Sequence, residues 1–149
     1  MAKIQGHISL TGDHFDIDHI SKVLGMEPTS VHSAQDLSRS GKQYGYCEWT
    51  VSVCSHTSCI QSVLDTLLAP LFQHAEQMRQ LAQEQNAAWD VQLCVDLTEP
   101  IFPTITFDSK IIAFLSTIEA DVYKRQGAYH AAAEAGQRRS AARRQRQGA

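Results

Sequence analysis

From Lys3 to Thr11 the apolar positions Ile4, Ile8 and Leu10 alternate with polar ones, which predicts a half-buried strand. Gly12-Asp13-His14-Phe15 reads as a turn into a short helix over residues 16–24. Asp16 is its N-cap, because a carboxylate there can accept from the free N–H groups of the first turn. Ile17, Ile20, Val23 and Leu24 have helical spacing, Asp18 favours the positive end of the helix dipole, and Gly25 and Pro28 end the helix. Thr29 to His32 predicts a short edge strand, and Ser38 to Gly45 an exposed loop. Tyr46, Glu48, Thr50 and Ser52 then oppose Cys47, Trp49, Val51 and Val53, giving a second main strand with Trp49 facing inward.

The period changes at Ser58, which can cap a helix. Ile60, Val63, Leu64, Leu67, Leu68, Leu71, Ala75, Met78, Leu81 and Ala82 follow a helical stripe to about Gln85. Pro70 removes a donor inside it and predicts a kink or break near Leu68–Pro70. Trp89, Val91, Leu93, Val95 and Leu97 alternate with polar residues in the clearest strand of the chain. Pro100 and Pro103 mark a turn, Thr104 to Phe107 a short strand, and Ser109 caps a last helix with Ile111, Ile112, Phe114, Leu115 and Ile118. Strands buried on both faces read as continuous apolar runs, and these alternate. The expected fold is therefore α+β: a two-layer sandwich, mainly antiparallel, with helices on one face and one long Pro-kinked helix.

Charge divides the 149 residues in two. Residues 1–120 carry six Lys or Arg against fourteen Asp or Glu, a net of −8, whereas residues 121–149 carry seven against two, a net of +5. We read residues 1–120 as one domain and 121–149 as a low-complexity Arg/Ala/Gln tail, disordered or weakly helical. Asp121-Val122-Tyr123-Lys124-Arg125-Gln126 resembles the in-frame translation of a transposon end used in sequencing-library preparation. On that reading the tail is a junction artefact, the natural chain is cut near Ala120, and the tail carries no function; nucleic-acid binding would follow only from a genuine Arg-rich tail. No apolar run approaches the length of a membrane span, the N-terminal residues are polar, and four cysteines are too few for a disulfide scaffold; together these predict a cytoplasmic protein with reduced thiols and no membrane contact.

The run Ser9-Leu10-Thr11-Gly12-Asp13-His14-Phe15-Asp16-Ile17-Asp18-His19-Ile20, continued by Leu24-Gly25-Met26-Glu27-Pro28-Thr29 and a later Trp49, resembles the bacterial domain of unknown function 4279. The resemblance covers about residues 7–120 and implies a strand, a short helix, a long helix, two strands, a helix and a final acidic strand with Tyr. Two departures stand out: Ala34-Gln35-Asp36 replaces a Gly-Asp, and the final strand is missing if the chain is cut at the junction. The family has no established activity, so the resemblance implies a fold and no reaction.

Candidate chemistry is sparse. Asp13, His14 and His19 could ligate a metal, as could Cys54, His56 and Cys59 across a strand-to-helix turn. Against this, Asp16 and Asp18 already serve the helix N-terminus, no C-x-x-C occurs, and cysteine at strand positions is commonly a small buried hydrophobe. No catalytic residue, cofactor or metal is assigned, and no nucleotide-loop, metalloprotease or nucleophile-elbow motif is present. Asp13, Asp16, Asp36 and Trp49 are the candidate binding residues. The acidic body with no catalytic motif points to a non-enzymatic module binding a basic protein, in the manner of an immunity protein. The alternative is a small-molecule or metal-dependent enzyme with a site near the Gly12–Asp18 turn.

Overall fold

The computed structural model describes residues 3–57, 59–96 and 105–127. Strand β1 (Lys3–Gly12) is the centre of the sheet. It pairs antiparallel with β3 (Cys47–His56) on one side and with β4 (Ala87–Asp96) on the other. The short β2 (Ser30–His32) adds antiparallel to β3, and β5 (Asp121–Gly127) adds parallel to β4, giving the order β2-β3-β1-β4-β5. The fold is α+β, with a mixed sheet that is mainly antiparallel.

Helix α1 (Ile17–Leu24) has the expected ends. Asp16 accepts from the His19 N–H at 3.3 Å, and Gly25 closes the helix at φ 63°, where a Cβ is unfavourable. The long apolar stripe breaks where Pro70 requires. Helix α2 (Ile60–Leu68) gives way to a 3₁₀ segment (Ala69–His74) and then to α3 (Ala75–Glu84). Proline near the start of the 3₁₀ segment has no donor to waste there. Cys59 stands at the N-cap of α2 without a side-chain bond; Ser58, expected as the cap, lies outside the described residues.

Ile4, Ile8, Leu10, Trp49, Trp89, Val91, Leu93 and Val95 cover one sheet face and form a single core with Ile20, Leu24, Val63, Leu64, Leu67, Leu71, Met78 and Leu81. At Gly6 the approach of α2 is close: a Cβ would meet Val63 Cγ1 at 3.1 Å and Leu67 Cδ2 at 3.3 Å. Trp49 and Trp89 flank Leu10 in the register and meet edge to face, ring centroids 6.0 Å apart. The Trp49 indole N–H donates to Ser21 Oγ of α1, and the Trp89 indole N–H to the Met78 carbonyl of α3. Each tryptophan thus ties a helix to the sheet.

Three expectations are corrected. Helix α4 (Ser109–Thr117) is capped by Asp108, whose carboxylate accepts from the Ile111 N–H at 2.9 Å, and Ser109 is already helical. Residues 105–107 form no strand, because β1 and β5 occupy both edges of β4; Ile105 and Phe107 pack against the core as an irregular lead into α4. Leu97, Pro100, Pro103 and Thr104 lie outside the described residues. Finally, the position of the last strand is filled. Asp121–Gly127, read from the sequence as the start of a disordered or weakly helical tail, pairs with Asp90–Asp96, so the sheet crosses the expected boundary at Ala120.

Candidate functional site

The face of the sheet away from the core is polar. Strand periodicity puts Lys3, Gln5, His7, Ser9 and Thr11 of β1 there, in register with His56, Cys54, Ser52, Thr50 and Glu48 of β3. Asp96, Cys94, Gln92, Asp90 and Ala88 of β4 continue the same rows. Such a face is ordinarily solvated, yet Ser9 is 3% exposed, Thr50 5% and Asp90 3%. These three share one row, Ser30–Thr50–Ser9–Asp90–Asp121.

Hydroxyls link this row to the next. Thr50 Oγ1 donates to Glu48 Oε1 at 3.1 Å and lies 2.8 Å from Ser9 Oγ. A threonine has one hydroxyl proton, so Ser9 is the donor in the shorter bond and the chain runs from Ser9 through Thr50 to the Glu48 carboxylate. The adjacent row is His32–Glu48–Thr11–Ala88. Within it Thr11 Oγ1 and His32 Nε2 are buried atoms without a hydrogen-bond partner. On the other side of the Ser9 row, His7 Nδ1 lies 2.6 Å from Ser52 Oγ, and burial lowers the His7 pKa.

Residues 33–46, which include the exposed loop expected over Ser38 to Gly45, form a hydrogen-bonded arm. The Gly45 N–H donates to the Ala34 carbonyl, the Tyr44 N–H to the Asp36 carbonyl, and Leu37 bridges Gln43. The arm rests on His32: the Tyr44 ring stacks on the imidazole with centroids 3.7 Å apart and planes 11° from parallel, and Tyr46 meets it edge-on at 4.8 Å. Burial lowers the His32 pKa, and the Asp36 carboxylate opposes that shift.

The polar face is also divided by charge. The Ser9 and Thr11 rows carry Glu48, Asp90 and Asp121 and no Lys or Arg, while Lys3 and Arg125 stand toward the opposite end. Asp13, Asp16 and Asp18 follow the acidic end of β1 and are exposed, as is Asp36 of the arm, whose carboxylate accepts from the Ser33 N–H at 2.7 Å. Trp49, a candidate binding residue from the sequence, is fully buried with its indole N–H satisfied; it is a core residue.

Among the described residues no three His, Cys, Asp or Glu side chains gather as a metal-binding set. Asp13 and His14 are exposed in the turn, and His19 is half-buried on α1. Cys54, His56 and Cys59 are exposed and none of the four cysteines forms a disulfide; Cys47, on the core face, is the one buried cysteine. Ser9, Thr11, His32, Glu48, Thr50 and Asp90 carry no signal in the sequence, because each occupies the polar phase of a strand and looks like an ordinary solvated position.

Residues 2–123 match the model of a family described as a domain of unknown function (DUF4279). The chain belongs to the DUF4279 family. The polar-face positions from Lys3 to Tyr123 fall within the DUF4279 match, and Arg125 and Gly127 of β5 lie beyond it. No curated protein and no solved structure matches the chain. No helix among the described residues is long and apolar enough to cross a membrane.

Proposed function

We propose that this DUF4279 domain is a non-enzymatic binding module of a bacterial cytoplasm, and that its partner is a basic protein. The observation that carries this reading is the acidic half of the polar sheet face. Glu48, the buried Asp90 and the exposed Asp121 lie there in two adjacent rows that contain no Lys or Arg, and Asp13 of the turn, Asp18 of α1 and Asp36 of the arm are also exposed. A surface of one sign speeds encounter with a partner of the other and weakens as salt screens it. An acidic immunity protein that neutralises a basic toxin works on the same terms.

The test is partner capture from a bacterial lysate on the immobilised domain, with the retained proteins identified by mass spectrometry. Proteins of strongly basic pI should be held at low salt, released at high salt, and lost from the variant Asp13→Lys/Asp18→Lys/Asp121→Lys. Retention that ignores both salt and the charge reversal would refute the reading.

A further inference from the structure

Strand β5 adds no buried side chain to the fold over Asp121–Arg125. Asp121, Val122 and Lys124 are exposed, Tyr123 and Arg125 are half-buried, and none of the five is a core residue. Its partner β4, by contrast, sends Trp89, Val91, Leu93 and Val95 into the core. The parallel ladder of β5 with Asp90–Asp96 joins backbone to backbone. An identical strand from a second copy would fill the same place with the same bonds and the same side-chain neighbours.

The turn that brings β5 back to the sheet works against its own sequence. At the end of α4 the Glu119 N–H donates to the Ser116 carbonyl at 3.1 Å, and the Ala120 N–H to the Leu115 carbonyl at 2.9 Å. This pair of bonds closes a helix through a left-handed residue, and that residue is Glu119, at φ 54°. Helix α1 also ends on a left-handed residue, but there it is Gly25, at φ 63°. Glycine has no Cβ to strain in that conformation, and glutamate has one. Glutamate and alanine are instead good helix formers, and no Gly, Pro or Asn lies between Thr117 and Asp121. Once the turn is released, Glu119 and Ala120 can continue α4, their N–H groups moving to the Leu115 and Ser116 carbonyls four residues back. The strand then leaves its own sheet and reaches another.

A short turn held against its local preference, ahead of a strand whose departure empties no core site, is the arrangement in which like copies trade an element. We propose that two copies of this chain exchange β5, each laying its Asp121–Gly127 along the Asp90–Asp96 edge of the other, with the hinge at Glu119 and Ala120. The outer edge of β4 is thus an interaction surface for a second copy, and its occupant is the strand already seated there. The exchange keeps the β4–β5 pairing and relieves the left-handed glutamate in each chain. It goes beyond the basic-partner reading and does not depend on it.

The test refolds the full chain from urea at low and at high protein concentration and reads its mass by gel filtration with light scattering. A dimer should form at high concentration. Its join is read by mixing two variants before refolding, Gln92→Cys on β4 and Tyr123→Cys on β5, which face each other in the register. Both carry Cys54→Ser, Cys59→Ser and Cys94→Ser, so that the buried Cys47 is the one native thiol left. Oxidation should link the two variants into a covalent heterodimer, and the double variant Gln92→Cys/Tyr123→Cys, kept dilute, should close the same bond within one chain. Glu119→Gly favours the closed turn and disfavours the continued helix, so it should weaken the dimer about tenfold. The exchange is overturned if the parent stays monomeric at both concentrations, or if Glu119→Gly dimerises like the parent. A dimer that forms without the covalent link, as pairing through the outer edge of β5 would give, overturns it as well.

Discussion

Trp49 and His32 show how one strand period serves two faces. Trp49 turns into the core, where its ring meets Trp89 and its N–H is satisfied by Ser21, so its loss should act on stability. Trp49→Ala is expected to cost roughly 3–5 kcal/mol in urea unfolding, the range for emptying a large aromatic site. His32 faces the other way, half-buried under Tyr44. Burial holds its pKa below the ordinary value of 6.5, with Asp36 partly opposing, and burial acts likewise on His7. The folded state then binds fewer protons than the unfolded one as pH falls below that ordinary value. The stability these rings contribute is complete above it and is lost as pH falls through it towards the lower folded-state values. His32→Phe keeps a ring against Tyr44 and removes the titration, so unfolding midpoints from about pH 8 to about pH 5 should fall less steeply in that variant than in the parent. Equal slopes would show that His32 contributes nothing to the pH dependence.

The elements were legible in the sequence where a local rule acts alone. Asp16 and Gly25 bound α1 because capping and left-handed closure depend on neighbours a few residues away. Pro70 breaks the long helix for the same local reason. Residues 105–107 defeated the rule: their pattern suits a strand, but a strand needs a free edge, and both edges of β4 were taken. Packing between elements is equally invisible locally. Gly6 reads as a weak point in a strand, yet Val63 and Leu67 of α2 pack directly over it. Gly6→Val should therefore push Val63 and Leu67 outward and lower stability by about 1–3 kcal/mol, the usual cost of overpacking. An unchanged urea midpoint would mean that α2 can shift without loss.

At the scale of the whole molecule, β5 is the element that the sequence reading and the structure treat most differently. It crosses the change in composition at Ala120 and shields the outer edge of β4 over Asp90–Asp96. A chain ending at Ala120 would leave that row of N–H and C=O groups open, next to the buried Val91, Leu93 and Val95. Such a truncation is expected to melt at a lower temperature and to self-associate, which light scattering alongside thermal unfolding would detect. A monomeric truncation with the full-length melting temperature would show that the domain is complete without β5.

The sequence by itself determined the α+β class, the inward face of each main strand, the ends of α1 and the break at Pro70. Periodicity, capping and proline geometry act over a few residues and need no knowledge of the rest of the chain. The candidate site lay beyond that reach. Ser9, Thr50 and Glu48 are 41 and 2 residues apart along their bonded chain, and His32 joins them only through the β2–β3 register. Only the tertiary structure decided that these polar positions would be buried together, because register and cover, unlike pattern, are set by segments distant in sequence.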